Sequence, residues 1–373
     1  MHLTEKLSHL GIAVPHPTLI FSHWKASLQP RRFAATDGLV AHWHESWPED
    51  PQVIESWNQL CQSNPKASAF HTPAWQFELA KPFLRARRFR LLTLWRGGQL
   101  VGTLPVRIDA HGILHTPGSI LSDYLDPLIS VEDSFAAWKS LFYAMNHLPG
   151  IDVNRLVIHN CRPECMDQTA LQVAAAEARF TVQSVPSEQV CRVTLPGSWE
   201  EYLATLDARD RKELRRKLRN AQTKAGAELA ISETQDDVQQ ACERTLELVQ
   251  RAGGNKGLKA RWTFKPMFKH TGAELVAWKR LRVYELRLNG EYAAGLICLR
   301  SASGPMLWTI GHDAKFSAFS PGIVLMGLAL QHSITEGMKC FDMLRGSPRY
   351  KSEFGARSWP IHNVTLQKER ATN

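Results

Sequence analysis

The stretch Arg90-Leu-Leu-Thr-Leu-Trp-Arg-Gly-Gly98-Gln-Leu-Val-Gly-Thr-Leu104 can be laid without a gap over Arg282-Val-Tyr-Glu-Leu-Arg-Leu-Asn-Gly290-Glu-Tyr-Ala-Ala-Gly-Leu296. The glycines of the two copies share one offset: Gly98 with Gly290, and Gly112 with Gly304. Because glycine accepts positive φ without a Cβ clash, each copy is expected to be a strand, a tight turn, a second strand, another glycine turn and a third strand. The repeat predicts that the chain contains the same unit twice.

Each copy is followed by a segment with helical spacing and then by a short apolar run. In the first half the helix is predicted at 132–147 and the strand at 156–159. In the second half the helix is predicted at 322–336, ended by Gly337, and the strand at 340–344. Strands, helix and strand in the same order in both halves indicate an α/β fold with mixed sheets.

The segment between the two copies is predicted to be helical. Ser198 and Glu201 have the spacing of a capping box. Asp207 can cap a second helix, and Leu214, Leu218 and Ala221 would form its apolar face. The chain then divides into an irregular or loosely docked arm at 1–36, a first unit at 37–187 and a second unit at 188–373.

Composition limits the class of protein. The chain has 373 residues, of which 44% are hydrophobic and 22% charged, a balance typical of soluble globular proteins. It contains no apolar run of the ~20 residues that a membrane span needs. The seven cysteines are odd in number and scattered, which favours free thiols over disulfides or a zinc site and suits the cytoplasm. No metal is expected.

The positive charge is concentrated in one segment. Lys and Arg number 45 against 36 Asp and Glu, a net charge of +9. Residues 209–219 hold seven basic and two acidic side chains, a local surplus of +5. Three interpretations remain open: a solvated helix face, a site for a phosphate-bearing or polyanionic ligand, and a nucleic-acid surface. The third is the weakest, because residues 209–219 lack the interleaved aromatic side chains that help to bind single strands.

A second candidate site precedes the helix of the second half. The strand 306–310 leads into a loop with the candidate residues His312, Asp313, Ser317, Phe319, Ser320 and Gly322. In this sequence Ser320 can cap the helix, the following proline presets φ, and Gly322 permits close approach. A helix N-terminus with unpaired N–H groups suits a pyrophosphate, although ordinary helix starts look the same.

A third candidate site follows the next strand. Arg345 and Lys351 can hold an anion, and the phenol of Tyr350 can donate a proton to a leaving group. Asp342 can orient an amine. The structural alternative is that Asp342 forms an ion pair with Arg345 and that Tyr350 closes the core.

Taken together, these segments resemble the GNAT acetyltransferases, and more narrowly the tandem-GNAT CelD/BcsL-like acyltransferases associated with cellulose and exopolysaccharide biosynthesis. The resemblance runs from about 40 to 370. The matching segments are Gly102-Thr-Leu-Pro105, Ser122-Asp-Tyr-Leu-Asp-Pro127, Ser198-Trp-Glu-Glu-Tyr-Leu203, Leu288-Asn-Gly290, Ser320-Pro-Gly322, Asp342-Met-Leu-Arg345-Gly346 and Tyr350-Lys-Ser-Glu-Phe354-Gly355. The glycine-rich phosphate loop of ordinary GNAT enzymes is replaced by Phe316-Ser-Ala-Phe-Ser-Pro-Gly322.

The resemblance implies two tandem GNAT-like domains, related to FemAB-like transferases. The second would bind acyl-CoA as co-substrate through 317–322, Arg345 and Lys351. Tyr350 would protonate the thiolate, and Asp342, His312 or Asp313 would accept the acceptor's proton. The first would be the scaffold and acceptor side, with Asp123 and Tyr124 as candidate substrate-binding residues beside Arg215 and Arg216 of the basic helix.

The leading hypothesis is therefore a cytoplasmic acyl-CoA-dependent N- or O-acyltransferase acting on a small-molecule or glycan-precursor acceptor. One alternative keeps the fold and uses aminoacyl-tRNA, as FemAB-like enzymes do. Another is a non-catalytic assembly module of an exopolysaccharide system. The acceptor, the acyl chain length, the general base and the oligomeric state stay open.

Overall fold

The computed structural model describes residues 30–34, 36–84, 86–148, 153–346 and 348–369. The arm expected at 1–36 therefore lies mostly outside the described residues. Its described end, Arg31–Ala34, forms β1, which pairs antiparallel with β2 (Leu39–His44). The last residues of the expected arm are thus part of the sheet.

The described residues contain fourteen strands in one mixed sheet. After β1 and β2, the strands are β3 Phe89–Arg96, β4 Gln99–Ile108, β5 Leu114–His115, β6 Leu128–Ile129, β7 Arg155–Cys161, β8 Phe180–Thr194, β9 Glu228–Ser232, β10 Leu281–Leu288, β11 Glu291–Ser301, β12 Gly304–His312, β13 Cys340–Arg345 and β14 Arg357–Lys368. Their order is β1-β2-β3-β4-β5-β7-β14-β8-β13-β12-β11-β10-β9, and β6 pairs with β4.

Helices cover both faces of this sheet. They are α1 Pro51–Ser63, α2 Pro73–Leu84, α3 Ser134–Asn146, α4 Gln168–Glu177, α5 Trp199–Thr205, α6 Ala208–Ala225, α7 Gln235–Arg251, α8 Gly254–Lys259, α9 Lys265–Ala277, α10 Pro321–Thr335 and α11 Arg349–Glu353. A π-helical turn, Ala260–Phe264, joins α8 to α9. Ser198 caps α5 as expected, whereas Asp207 precedes α6 without a side-chain cap.

The repeat seen in the sequence is present in the sheet. β3 and β4 correspond to β10 and β11. Both antiparallel pairs also contain a register shift, and the two shifts lie at equivalent positions. The register of the first shifts between Leu94 and Trp95, and that of the second between Leu286 and Arg287. Helix α3 followed by β7, and α10 followed by β13, complete the two units. The α/β class with mixed sheets is confirmed.

The two units exchange their last strands. β8, which ends the first unit, pairs with β13 of the second, whereas β14 lies between β8 and β7 of the first. The boundary expected at 187/188 falls inside β8, which is one uninterrupted strand. The exchange joins both half-sheets through continuous backbone hydrogen bonding.

An aromatic cluster fills the space between the units. Trp75 of α2 lies edge-on to Trp308 of β12, with ring centroids 6.2 Å apart. Phe268 of α9 lies 4.9 Å from the same Trp308, and Phe70 lies 5.8 Å from Tyr124. Aromatic pairs in these edge-on geometries add stability beyond area burial, so this cluster fixes how the two units meet.

Candidate functional site

In the sheet of the second unit, β12 and β13 are neighbours whose pairing is short. These strands run parallel, and their described residues pair at one position, Met306 with Asp342. Beyond it, Leu344 has a left-handed backbone (φ 58°), and the pairing of β13 with β8 is interrupted between Asp342 and Arg345. On the other side of the pair the Cys340 N–H donates to Ser303 O at 3.1 Å, whereas no described residues of the two strands pair beyond Asp342.

The N-terminus of α10 follows directly from β12. A 3₁₀ turn, Ala314–Phe319, connects them, and Ser317 is exposed while Phe319 is half-buried. The first turn of α10 contains no acidic residue, so the positive end of its dipole is uncompensated there. A Cβ on Gly322 would meet His312 Nδ1 at 3.6 Å and Ile310 Cδ1 at 3.7 Å, which are ordinary contacts.

The expected side-chain cap at Ser320 is wrong. Ser320 has φ 53° and ψ 56°, and its hydroxyl makes no cap hydrogen bond. Its carbonyl instead accepts from the N–H groups of Ile323 at 2.9 Å and Val324 at 3.1 Å. Pro321 has no N–H, so in the first turn of α10 the Gly322 N–H is the donor without a cap among the described residues.

His312 and Asp313 lie side by side at the end of β12 but differ in their contacts. Asp313 caps the 3₁₀ turn, since its Oδ1 accepts from the Lys315 N–H at 3.0 Å. His312 is exposed at the end of its strand, beside Gly322. Its ring has no hydrogen-bond partner among the described residues.

Asp342 is buried in a network that joins the two units. Its Oδ2 accepts from Tyr124 Oη at 2.5 Å and from Arg192 Nε at 3.3 Å. Its Oδ1 accepts from the Leu344 N–H at 2.8 Å, which helps to hold the left-handed turn. Burial, followed by the charge of Asp342, raises the pKa of the Tyr124 phenol well above its usual value. Tyr124 is therefore a permanent donor to this carboxylate.

Arg345 ties the same first-unit loop to β13. Its Nε pairs with Asp123, its Nη1 donates to Ser119 O at 3.0 Å, and a second bond from Nη1 reaches Glu188 Oε1 at 3.1 Å. Burial raises the pKa of Asp123, although the charge of Arg345 opposes that shift. The structural alternative of an Asp342–Arg345 pair is wrong, because the two side chains bind Tyr124 and Asp123 instead.

The side chains of α11 close the end of β13. The Lys351 ammonium is buried and donates to the carbonyls of Met343, Leu344, Arg345 and Gly346 at 2.7 to 3.1 Å. Tyr350 is half-buried against the second-unit core, and burial raises the pKa of its phenol. Lys351 thus holds the turn that presents Tyr350.

Arg215 and Arg216 lie outside this network. Both are exposed on α6, where Arg215 pairs with Glu200 and Arg216 with Glu213. α6 itself packs on α10, since a Cβ on Gly327 would lie 3.1 Å from Leu214 Cδ1. The structure therefore brings Asp123, Tyr124, Asp342 and Arg345 together, and leaves the two arginines of the basic helix on the surface.

Sequence reasoning missed two arginines beside Tyr124, the buried Arg162 and the half-buried Arg192. The Arg192 guanidinium lies over the Tyr124 ring at 5.6 Å, and that of Arg162 lies at 4.6 Å. Arg162 also binds Asp126 through two hydrogen bonds of 3.0 and 2.7 Å. A signal was present for Arg192, which interrupts the apolar run Val190-Cys-Arg-Val193 of β8.

The comparisons with known proteins agree with this geometry. Residues 208–352 match a family described as "Acetyltransferase (GNAT) domain". The fold is GNAT-like. The sequence match lies wholly in the second unit and includes β12, α10 and β13. The expectation of GNAT-like architecture is confirmed.

Solved structures resemble the whole chain at low identity. FemX has 10% identity and a TM-score of 0.59 over 83% of this chain and 95% of its own. A conserved protein of unknown function from Bacteroides thetaiotaomicron VPI-5482 has 10% identity and a TM-score of 0.51 over 85% of this chain and 97% of its own. A tandem GNAT protein from the clavulanic acid biosynthesis pathway has 12% identity and a TM-score of 0.40 over 87% and 97%. No curated protein matches the sequence.

The described residues contain neither a helix that could span a membrane nor a cluster of metal-binding side chains. None of their helices is both long enough and apolar enough to cross a bilayer. In the same part of the chain, no group of three or more His, Cys, Asp and Glu side chains is arranged to hold a metal ion.

Proposed function

We propose that the chain is an acyl-CoA-dependent N- or O-acyltransferase whose donor binds in the second unit, between β12 and β13. The observation that carries this proposal is that the single pair Met306–Asp342 joins these strands, next to a helix α10 whose N-terminus has no side-chain cap and no acidic residue in its first turn. The pyrophosphate of the donor would lie at Ser317–Gly322, where helix N–H groups and the dipole favour an anion. The family match to the same residues supports this placement.

The chemistry assigned to this site is direct attack of an amine or hydroxyl on the thioester. Tyr350 would give its proton to the leaving thiolate, and its raised pKa keeps the phenol protonated at neutral pH. Asp342 already accepts three hydrogen bonds, and Asp313 caps a turn. We therefore assign the acceptor's proton to His312, whose ring is exposed and without a described partner.

The acceptor side is assigned to the first unit, whose loop carries Asp123 and Tyr124 against β13. On this division, residues 37–187 shape the acceptor pocket and 188–373 bind the donor. The resemblance to CelD/BcsL-like proteins favours a glycan precursor of the cell envelope or an exopolysaccharide as acceptor, in the cytoplasm.

The donor site is tested by substitutions at Gly322. Gly322→Asp places a carboxylate in the first turn of α10, where it complements the dipole and repels a pyrophosphate. We expect acetyl-CoA affinity in isothermal titration calorimetry to fall roughly tenfold or more, with unchanged thermal stability. Gly322→Ala is the matched control, since its Cβ meets no atom closer than 3.6 Å. Equal affinity in the two variants would contradict the placement.

The role of Tyr350 is tested by Tyr350→Phe. Loss of a general acid is expected to lower kcat about 10²–10⁴-fold while acetyl-CoA binding is kept. Tyr143→Phe, at an exposed tyrosine of α3, is the control. Unchanged turnover in Tyr350→Phe would remove the phenol from the mechanism. If the wild-type chain binds acyl-CoA but transfers no acyl group to any amine or hydroxyl tried, the assembly-module alternative is favoured.

The second candidate function uses aminoacyl-tRNA as donor, and the basic surface of α6 favours it. The ion pairs of α6 with described residues involve Arg215, Arg216 and Lys217, and none involves Arg209, Arg211, Lys212 or Arg219. A tRNA gel shift that weakens steeply with salt and is lost in Arg209→Glu/Arg211→Glu would support this donor. A shift that does not depend on salt would count against it.

A further inference from the structure

Helices α7 and α9 pack against each other and are joined by a strongly basic segment. This segment, the tip, comprises residues 251–265: the last residue of α7, helix α8, the π-helical turn and the first residue of α9. Its five basic residues are Arg251, Lys256, Lys259, Arg261 and Lys265, and it contains no acidic residue. The tip therefore has a surplus of +5, equal to that of residues 209–219.

Glycines determine how the tip lies on the second unit. Gly253 and Gly254 have positive φ (77° and 65°), which separates α8 from α7. A Cβ on Gly257 would lie 3.0 Å from a backbone carbonyl of α7, so α8 packs directly on the end of that helix. Phe264, in the π-helical turn, contacts Trp308 of β12 with ring centroids 4.2 Å apart. These contacts hold the tip against the unit to which the donor is assigned.

Charged side chains of the tip face solvent. Arg251, Lys259 and Arg261 are all exposed. Lys265 pairs with Glu247 at 3.4 Å, and the ion pairs of the tip with described residues involve neither Arg251 nor Lys259. Because a partly exposed pair such as Lys265–Glu247 contributes little, the tip presents an electropositive surface.

The tip also exposes an apolar side chain among these charges. Leu258 is 61% exposed, more than any other large hydrophobic residue described in the second unit. An aliphatic side chain flanked by cations suits the headgroup layer of an anionic bilayer, where the leucine enters the acyl boundary and the cations bind phosphates. A nucleic acid would bind the cations but would leave Leu258 in water, since bases stack on aromatic side chains.

The basic helix α6 lacks this combination. Arg215 and Arg216 of α6 pair with Glu200 and Glu213, which neutralises part of its charge. The exposed large hydrophobic residues of the described chain include none from α6. The two basic surfaces therefore differ in chemistry although their charge surplus is equal, and the tip is the one that suits a lipid surface.

We propose that the tip is a docking surface for an anionic lipid bilayer, with Leu258 at the acyl boundary and Arg251, Lys259 and Arg261 on the lipid phosphates. Five cations and one leucine give weak, reversible attachment. The bilayer would lie beside β12, because Phe264 joins the tip to that strand. Vesicle binding is measured without acyl-CoA, so failure of the docking and failure of the proposed acyl transfer are separate results.

Co-sedimentation with lipid vesicles tests the docking surface. The full chain is mixed with vesicles of phosphatidylcholine and phosphatidylglycerol, and in parallel with vesicles of phosphatidylcholine alone. We expect the chain to sediment with the anionic vesicles, to be released as the salt concentration rises, and to stay in solution with the neutral vesicles. No sedimentation with the anionic vesicles, or equal sedimentation with both compositions, would overturn the proposal.

Charge reversal separates the tip from the other basic surface. Lys259→Glu/Arg261→Glu should lower the partition onto anionic vesicles about 25-fold or more, since each cation near such a surface contributes about fivefold. Arg209→Glu/Lys212→Glu reverses the same number of exposed charges on α6 and is the matched control. It should bind nearly as the wild type does, and an equal or larger loss in this control would overturn the assignment to the tip.

The leucine distinguishes a bilayer from a nucleic acid. Leu258→Ser should weaken vesicle binding several-fold and leave any tRNA gel shift unchanged, because only a bilayer buries this side chain. Val173→Ser, at an exposed valine of α4, is the matched control. Equal vesicle binding in these two variants would overturn the proposal and favour a nucleic-acid surface. The wild-type comparison of the two vesicle compositions decides the proposal even if a variant does not fold.

Discussion

His44 is a histidine that the fold holds without charge. It lies on β2 with 7% of its surface exposed, and its Nε2 is 3.0 Å from Thr93 Oγ1. Burial, followed by the charge of His42, lowers its pKa to about 4. The unfolded chain, with a histidine pKa near 6.5, therefore binds a proton that the folded chain excludes until about pH 4.

This difference makes stability depend on pH in one direction. The contribution of the uncharged His44 to the free energy of unfolding is fully present above about pH 6.5. It is lost as the pH falls toward 4, and the loss over that range is about 3 kcal/mol. Urea unfolding at pH 7 and pH 4.5 measures it. His44→Gln keeps an amide near Thr93, does not titrate, and should reduce the loss on acidification by most of that amount. The exposed His111→Gln should not, and an unchanged pH slope in His44→Gln would contradict the account.

Residue roles were only partly predictable from the sequence. The sequence singled out four residues that lie together in the structure: Asp123, Tyr124, Asp342 and Arg345. Some 220 positions separate the first two from the last two along the chain. The sequence could not show that Arg345 binds Asp123 or that Lys351 faces four carbonyls. Such pairings depend on how two units dock, and a basic residue near a strand end looks the same whether it binds a ligand or the backbone.

At the scale of elements, two glycines let α7 lie against the sheet. Gly295 of β11 and Gly311 of β12 are directly opposite each other. A Cβ on Gly311 would lie 2.7 Å from Thr245 O and 2.9 Å from Leu248 Cβ. Since these atoms belong to the backbone and the base of a side chain, relief requires a shift of α7 itself.

Gly311→Ala is therefore expected to destabilise the fold by about 1–3 kcal/mol in urea unfolding, the range typical of overpacking. The same change at Gly272, within α9, meets nothing within 4 Å and should be neutral or stabilising by up to about 1 kcal/mol. Equal stability of Gly311→Ala and Gly272→Ala would contradict this account, because it would mean that α7 does not constrain β12.

Element existence and order were more predictable than element ends. The repeated glycine turns and helical spacing gave β3, β4, α3 and their counterparts within a few residues, because local propensity and pattern agree there. The start of α10 was misread, since Ser320 looks like a cap in sequence and its left-handed backbone is visible only in the structure. The short strand β6 carries no pattern of its own.

At the scale of the whole molecule, the two units are expected to unfold together. The strands β8 and β14 pair along twelve positions and cross between the units, and Arg345 ties β13 to the first-unit loop. Urea unfolding should be a single transition, with amide exchange in β4 and β11 reporting similar free energies. Unfolding of one unit at a clearly lower urea concentration than the other would contradict this coupling.

The Arg345 contact tests the coupling at one position. Arg345→Gln leaves Asp123 without its cation in a site that is mostly buried, and should lower the stability of both units by about 2 kcal/mol. Arg349→Gln, whose side chain is 80% exposed, is the matched control and should change stability little. Loss of stability in one unit alone, or equal stability of both variants, would contradict the role given to Arg345.

The organisation into two units was readable from the repeat, whereas their exchanged strands were not. Nothing in the sequence of β14 distinguishes a strand that stays in its own unit from one that pairs with the other. The local surplus of +5 was located correctly in α6, yet three of its members pair with Glu200 and Glu213 on the surface. Charge counts along the chain therefore located the basic surface on α6 but did not identify what binds to it.

The central claim, that the second unit binds an acyl donor between β12 and β13, is tested most directly by a crystal structure of the chain with acetyl-CoA. The account predicts the thioester between β12 and β13, with the pyrophosphate at the N-terminus of α10 near Gly322. Acetyl-CoA bound between β5 and β7 of the first unit, or no binding at millimolar concentration, would contradict it.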